Sequence, residues 1–213
     1  MAMLAPVPTH DTRQSDGVRL STSPTILEAI REEACNLAVW ERAPMAGLDT
    51  IITPELASIR FTSALGDLPE RLRKELRAAG YPQTEITDAL AADIDTLAAR
   101  YAGIYGHSAL ELRLEIVTTN SCRKFHADYV EARLITTYVG RGTDWLSNAD
   151  ADRVAAGGDP AQIRSLGPGD VGLFKGKMAT EHPAIHRSPP IEGTGETRLL
   201  LVLNPARLAT AAL

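Results

Sequence analysis

The sequence predicts an α+β protein in which a helical region precedes a β-rich region. Apolar residues repeat at helical spacing within residues 21–106, and short alternating or β-branched segments follow from residue 107. Gly- and Pro-rich turns separate these later segments, a pattern typical of a barrel or a sandwich. We therefore expect a flexible tail over residues 1–20, helices packed on the core over 21–106, and a β core over 107–213.

Helix start and stop signals divide the first region. Ser23-Pro24 and Thr53-Pro54 each resemble an N-cap followed by proline at the first helical position. A third helix is expected from Pro69 to Ala79, ended by Gly80. The clearest helix begins after Thr84, because one apolar stripe with a period of about 3.6 residues follows it. That stripe consists of Ile86, Leu90, Ile94, Leu97, Tyr101 and Ile104.

Four segments of the second region have the character of strands. The first alternates apolar and charged residues, and the others are rich in β-branched and apolar residues. The expected strands cover residues 112–117, 132–139, 170–174 and 197–203.

The composition is that of an ordinary folded protein and excludes several classes. The 213 residues are 44% hydrophobic, and the formal net charge of −5 disfavours a nucleic-acid binder. No apolar run approaches the roughly 20 residues of a membrane span, and the N-terminus does not resemble a secretory signal. We therefore expect a cytoplasmic protein with no membrane partner. Cys35 and Cys122 are the only cysteines, which excludes a disulfide framework.

Candidate metal ligands concentrate around His126 and Asp128. In a strand, residues i and i+2 point to the same side, so this imidazole and carboxylate project into one space. His186, in an extended apolar context, is the best candidate for a third ligand. Two histidines and a carboxylate on one face suit iron(II) with open positions, although the same residues also hold manganese, zinc or nickel. Arg198 opens the last apolar strand, where a buried guanidinium needs an anion and suits a carboxylate.

These residues, in this order, resemble the iron(II)- and 2-oxoglutarate-dependent oxygenase superfamily, whose core is a double-stranded β-helix, or jelly roll. The resemblance covers roughly residues 110–205 and rests on His126-x-Asp128, His186-Arg187-Ser188-Pro189 and Arg198. It implies that His126, Asp128 and His186 ligate Fe(II) and that Arg198 binds the distal carboxylate of 2-oxoglutarate. It also implies a jelly-roll core preceded and flanked by the helical region, in an oxygenase of unknown substrate.

Shorter sequence segments indicate which branch and family within the superfamily the chain resembles. Residues 133–138 are similar to the second core strand of the prolyl-hydroxylase branch, which implies that Tyr138 or Thr136 hydrogen-bonds the co-substrate. Many oxygenases carry Ser or Thr two residues after the co-substrate arginine, where this sequence has Leu200. Four further strings resemble a bacterial family described only as a domain of unknown function. They are Lys124–Asp128, Thr137–Gly140, Phe174–Gly176 and His186–Pro189.

Other interpretations of the same region stay open at the level of sequence. Cys122 could complete a Cys/His/Asp/His zinc site or be a small buried hydrophobic residue. His182 is spaced i, i+4 from His186, but Pro183 disfavours a helix there. Lys175 could approach the site or pair with Glu181. No serine-hydrolase elbow, dinucleotide fingerprint or phosphate loop is present.

Three hypotheses for the function follow. The first is the oxygenase, whose partner would be a small-molecule or peptide substrate and which could form a homodimer. The second is a non-enzymatic protein that holds zinc or another divalent metal in the same pocket. The third is a catalytically silent jelly roll that serves as a binding module.

Overall fold

The computed structural model describes residues 12–206. The strands in this range are β1 Arg13–Ser15, β2 Val18–Ser21, β3 Leu37–Trp40, β4 Ile59–Ala64, β5 Ala109–Val117, β6 Ala132–Val139, β7 Asp144–Trp145, β8 Arg164–Ser165, β9 Val171–Lys175, β10 His186–Arg187 and β11 Arg198–Pro205. The α-helices are α1 Leu68–Ala78, α2 Glu85–Tyr105 and α3 Asn148–Ala155. Two 3₁₀ helices cover Pro24–Arg31 and Leu48–Ile51.

The strands form one large sheet and one small sheet. The large sheet has eight strands in the order β1-β2-β3-β9-β6-β11-β5-β4, and the small sheet has the order β10-β7-β8. Every neighbouring pair is antiparallel except β2 and β3, which run parallel. The architecture is therefore α+β, as the sequence predicts, and its main element is a large mixed sheet.

Two apolar clusters cover the two faces of the large sheet. The first cluster joins α1 and α2 to the outer face, where Leu199, Leu201 and Leu203 of β11 pack. The second joins the inner face to the small sheet, and it contains Leu200 and Val202 of the same strand. Because side chains alternate along a strand, β11 contributes to both clusters. The inner face is the one that carries the candidate site.

Both helices expected between Pro69 and Ile104 are confirmed as α1 and α2. The Thr84 side chain accepts a hydrogen bond from the Thr87 backbone nitrogen at 3.4 Å and caps α2. Gly106 ends α2 with a φ of 72°, a conformation that glycine adopts without strain. The apolar stripe of α2 lies in the first cluster.

The expectation of a helical region from residue 21 is wrong for its first half. Residues 37–40 and 59–64 form strands β3 and β4 of the large sheet, and Pro24–Arg31 is a 3₁₀ helix. Thr53-Pro54 begins no helix. The reason is tertiary pairing, because β3 pairs with β9 and β4 with β5, which lie far away in the sequence.

The expected tail of residues 1–20 is only partly covered by the structure. Residues 1–11 lie outside the described range. Residues 13–15 and 18–21 pair as β1 and β2 at one edge of the large sheet. This described part is therefore folded against the sheet.

The four strands expected in the second region are confirmed as β5, β6, β9 and β11. Within residues 12–206, no helix combines the length and apolar character needed to cross a bilayer. The strands place the candidate metal ligands between the large and small sheets.

Candidate metal centre

His126 and His186 lie side by side on two paired extended segments. The backbone nitrogen of His126 donates to the carbonyl of His186 at 3.0 Å, and the reciprocal bond is 2.9 Å. This antiparallel bridge extends the small sheet beyond β10. The two imidazole rings are consequently close, with centroids 4.7 Å apart, and Phe174 of β9 packs 4.8 Å from the His186 ring.

Asp128 joins the two histidines, as its spacing from His126 predicts. Its Oδ2 lies 3.3 Å from Nε2 of His186, and its Oδ1 lies 3.7 Å from Nε2 of His126. One ligand atom from each of the three residues lies within 4.8 Å of the others. Adjacent ligands of an octahedral metal with bonds near 2.1 Å are about 3 Å apart. The sequence-predicted set is thus brought together, and we call His126, Asp128 and His186 the triad.

The backbone orients both imidazoles for metal binding. Nδ1 of His126 lies 2.9 Å from the Lys124 carbonyl oxygen, and Nδ1 of His186 lies 3.1 Å from the Ala184 carbonyl oxygen. A carbonyl only accepts, so we assign the proton of each ring to Nδ1. Each Nε2 then presents its lone pair towards Asp128. A carbonyl bonded to the far nitrogen is the support that metal-ligating histidines usually have.

The Asp128 carboxylate indicates that a cation fits between these groups. Its Oδ2 is buried and accepts no hydrogen bond from the described part of the chain, although it faces Nε2 of His186. Burial raises the pKa of the Asp128 carboxyl, but contacts with His186, Arg133 and His126 outweigh burial and bring it below its ordinary value. An ionised oxygen that is buried without a donor is costly. A divalent metal bound to this oxygen would remove that cost.

Arg133 of β6 supports the carboxylate from the other side. Its Nη1 donates to Oδ1 of Asp128 at 2.6 Å, and its Nε donates to Oδ1 of Asn204 at 2.7 Å. Asn204 in turn donates to Oε2 of Glu111 at 2.8 Å. Because Arg133 occupies Oδ1, Oδ2 is the oxygen left for a metal. The sequence placed Arg133 in an expected strand, but no pattern in it pointed to the hydrogen bond between Arg133 and Asp128.

Replacing Arg133 with methionine should therefore weaken metal binding while the triad itself is kept. Loss of a residue that holds a ligand typically costs about 10–100-fold in metal affinity, and we expect that range for Arg133→Met. Competition with a chromophoric chelator measures the affinity. Arg113→Met is the matched control, because Arg113 lines the same cavity but bonds Glu111 rather than Asp128. Equal losses in the two variants would contradict the role of Arg133.

Arg198 is fully buried and has no acidic partner within residues 12–206. Its Nε donates to the Arg141 carbonyl at 2.6 Å, Nη2 to Oγ1 of Thr137 at 3.1 Å, and Nη1 to Oγ of Ser188 at 3.3 Å. Among the described residues, no carboxylate lies within ion-pair distance of its guanidinium. Burial accordingly lowers the pKa of Arg198, although the more distant carboxylates Glu196 and Asp144 oppose the shift.

Gly140 gives Arg198 the space that it occupies. Its φ is 80°, and a Cβ at this position would lie 2.6 Å from the Thr197 carbonyl oxygen and 3.0 Å from Cγ of Arg198. A residue larger than glycine would collide with the backbone of β11. The glycine in the Thr137–Gly140 string therefore has a packing role beside this arginine.

The expectation that Thr136 or Tyr138 contacts a co-substrate is wrong, because both lie on the outer face of β6. The Tyr138 hydroxyl donates to Oδ2 of Asp93 in α2 at 2.7 Å, and Thr136 pairs with Leu201 of the first cluster. A register shift opposite Leu199 and Leu200 marks a β-bulge at this point of β6. Thr137 is the residue of this segment that faces Arg198.

This assignment predicts different results for two neighbouring substitutions. Thr137→Val removes a hydroxyl that holds the Arg198 guanidinium, so the oxygenase hypothesis predicts about fivefold to tenfold weaker 2-oxoglutarate binding, the equivalent of one hydrogen bond. Tyr138→Phe should leave that binding unchanged and lower the free energy of unfolding by about 1 kcal/mol. Calorimetry and urea unfolding measure the two quantities. Weaker binding in Tyr138→Phe alone would restore the original assignment.

A cavity of about 220 Å³ opens beside the triad. His126 and His186 form part of its wall, together with apolar residues of β6 and β11. Its other polar lining residues include Arg113, Glu115, Thr143, Arg187 and Ser188. Arg198 reaches this wall through its bond to Ser188. Leu200 lines the cavity where many oxygenases have a hydroxyl, and the hydroxyls beside Arg198 come instead from Thr137 and Ser188.

The remaining candidates lie outside the triad. Cys122 is exposed and lines the cavity, but it is not part of the three-residue cluster of potential ligands. His182 is exposed and also lies apart from that cluster. Lys175 donates to the Glu32 carbonyl at 2.8 Å rather than to Glu181. The structure therefore does not assemble a four-ligand site with Cys122 or His182.

Comparison with known proteins gives a family and several similar structures. The family described as "Protein of unknown function (DUF1826)" matches residues 21–204. No curated protein matches the sequence.

Three solved structures are similar to the chain at 12–14% identity. One is the 2-oxoglutarate complex of dioxygenase for auxin oxidation 1 from Arabidopsis thaliana, with 14% identity, a TM-score of 0.44 and coverage of 81% of this chain and 68% of that chain. Another is a Pseudomonas putida prolyl-4-hydroxylase, with 12% identity, a TM-score of 0.44 and coverage of 87% and 98%. The third is a C-terminally truncated protein from Neurospora crassa in its apo form, with 14% identity, a TM-score of 0.38 and coverage of 73% and 68%.

Proposed function

The chain belongs to the DUF1826 family, and we propose that it is a non-haem iron(II) oxygenase that uses 2-oxoglutarate. The observation that carries the proposal is the triad, in which the Nε2 atoms of two imidazoles lie beside the Asp128 carboxylate, whose buried Oδ2 has no donor among the described residues. Two histidines and one carboxylate on one face of iron(II) leave positions for a bidentate co-substrate and for dioxygen. The resemblance of the motifs to this superfamily supports the same choice.

Arg198 is the proposed partner of the co-substrate. A guanidinium that is buried without an acidic partner is costly, and a carboxylate that enters the cavity would pair with it. Arginine presents a planar pair of donors that suits a carboxylate. We therefore assign Arg198 to the distal carboxylate of 2-oxoglutarate, with Thr137 and Ser188 holding the guanidinium.

We also assign the core to the double-stranded β-helix fold. Support comes from the position of the cavity between the large and small sheets, whose side chains meet in the second apolar cluster. A space between two sheets restricts the access of bulk water to the reacting groups without closing it off. The helices α1 and α2 cover the outer face of the large sheet, away from the cavity.

In the proposed reaction, bound iron(II) supplies the redox chemistry that converts 2-oxoglutarate, dioxygen and a substrate C–H bond into succinate, carbon dioxide and a C–OH group. The chain supplies binding and orientation. His126 and His186 hold the metal through Nε2 while their Nδ1 protons stay on backbone carbonyls. Asp128 holds it through Oδ2 and is kept ionised by Arg133. Arg198 fixes the direction in which the co-substrate lies.

Succinate formation is the direct test. Protein prepared without oxygen and loaded with iron(II) should convert 2-oxoglutarate into succinate and carbon dioxide when oxygen is admitted, slowly even without a substrate. The activity should disappear in His186→Ala. Tight zinc binding together with no succinate under any condition would reject the oxygenase.

The alternative is a zinc-binding protein that uses the same pocket. The observation in its favour is Cys122, an exposed thiol on the wall of the cavity that could become a fourth ligand after a local shift. Its test is the zinc affinity of Cys122→Ser. A large loss of affinity favours zinc, whereas an unchanged affinity favours the three-ligand site of an oxygenase.

A further inference from the structure

Most charged side chains on the wall of the cavity have partners within the protein. Arg113 bonds Oε2 of Glu111 at 3.1 Å, Arg133 bonds Asp128, and Nε of Arg187 bonds Oδ2 of Asp144 at 3.0 Å. The positive charge of each of these three guanidinium groups is therefore balanced by a carboxylate of the protein. They contribute no excess positive charge to the cavity wall.

Glu115 is the exception. It lies on the inner face of β5, where Leu200 of β11 is its cross-strand neighbour, and it lines the cavity. In the described part of the chain, its carboxylate has no hydrogen bond and no ion pair. It is partly buried, so water can reach it but the cavity walls limit its hydration. The cavity therefore holds one carboxylate that is available to a ligand.

We propose that the substrate carries a cationic group, an ammonium or a guanidinium, and that Glu115 binds it. The inference rests on the proposed function, because it takes this cavity to be the substrate cavity beside the triad. An ionised acceptor inside a cleft forms stronger hydrogen bonds than the same group in water. A cationic substrate would gain that bond, whereas an anionic one would meet repulsion from Glu115. Glu115 is thus a specificity-determining residue.

The carboxylate of Glu115, unpaired among the described residues, has a second explanation, charge balance for Arg198, which must be distinguished from substrate binding. Its carboxylate also acts at a distance on Arg198, so it could merely balance that buried charge. Glu196 and Asp144 act more strongly on the same guanidinium. Glu196 bonds Arg141 and does not line the cavity. Glu196→Gln is therefore a control that disturbs the charge balance of Arg198 without touching the proposed binding site.

The experiment compares two small probes of equal length on the full chain loaded with zinc, which is redox-inert. They are n-butylguanidinium and its neutral planar counterpart n-butylurea, because a carboxylate probe would bind the metal or Arg198 instead. Titration followed by saturation-transfer NMR should show n-butylguanidinium binding at least about tenfold more tightly than n-butylurea, the worth of one charged hydrogen bond. Glu115→Gln should remove this preference, and Glu196→Gln should keep it within about twofold.

Three results would overturn the inference. The first is equal binding of the two probes, and the second is a cation preference that Glu115→Gln leaves intact. The third is loss of the preference in Glu196→Gln to the same degree as in Glu115→Gln, which would favour charge balance instead. These readouts need no turnover. Absence of succinate with a Glu115-dependent preference would therefore reject the oxygenase alone, and succinate without a preference would reject the cationic substrate alone.

Discussion

Replacing His126 with alanine should weaken metal binding by more than about 100-fold. The change removes one of three ligands, and even residues that only support a ligand are worth about 10–100-fold. The His126 side chain is 37% exposed, so its loss leaves little empty space in the core. Folding should therefore survive, and succinate formation should fall in parallel with metal content. Chelator competition and metal analysis of the purified variant measure the effect.

His182→Ala is the matched control for this result. His182 is another exposed histidine of the β-rich region, but it lies outside the triad. Its replacement should change metal affinity by less than about twofold. If the two variants held metal equally well, the triad would not be the metal site.

Replacing Arg198 with methionine should separate co-substrate binding from metal binding. We expect 2-oxoglutarate affinity to fall about 100-fold, because one charged hydrogen bond is worth about 1.5–3 kcal/mol and the guanidinium offers two. Metal affinity should stay within about twofold, since Arg198 contacts none of the triad. Calorimetry of zinc-loaded protein with 2-oxoglutarate measures the first quantity, and chelator competition measures the second.

Arg198→Met should have only a small effect on the free energy of unfolding. Removal of a buried cation without an acidic partner relieves its desolvation cost, whereas the Thr137 hydroxyl and the Arg141 carbonyl lose a donor. We expect the free energy of unfolding without co-substrate to fall by at most about 2 kcal/mol. Arg141→Met is the control, because it keeps the backbone carbonyl that Arg198 uses. A variant of Arg198 that binds 2-oxoglutarate normally would contradict the assignment.

The parts of the candidate site that depend on the spacing of nearby residues could be predicted from the sequence. The i, i+2 spacing placed His126 and Asp128 on one side of an extended segment, and the apolar run after Arg198 predicted β11. The sequence pointed to Tyr138 or Thr136 and did not single out Thr137, because the bulge in β6 and the helix that covers its outer face are not visible in that segment. The hydrogen bond between Tyr138 and Asp93 shows which side of β6 is outer.

The amino-acid sequence by itself determined α1, α2 and the four longer strands of the β-rich region, and it placed His126 and Asp128 on one side of the chain. These features follow from the periodicity of apolar residues and from residue types close together in the chain. Only the tertiary structure decided that β3 and β4 join the large sheet, that His186 pairs with His126, that Arg133 holds Asp128, and that, within residues 12–206, Arg198 and Glu115 have no ion pairs. Most of these contacts join residues that lie far apart in sequence, as Arg133 and Asn204 do over 71 positions. Their formation depends on which strands become neighbours, and that is settled by packing of the whole chain rather than by any one segment.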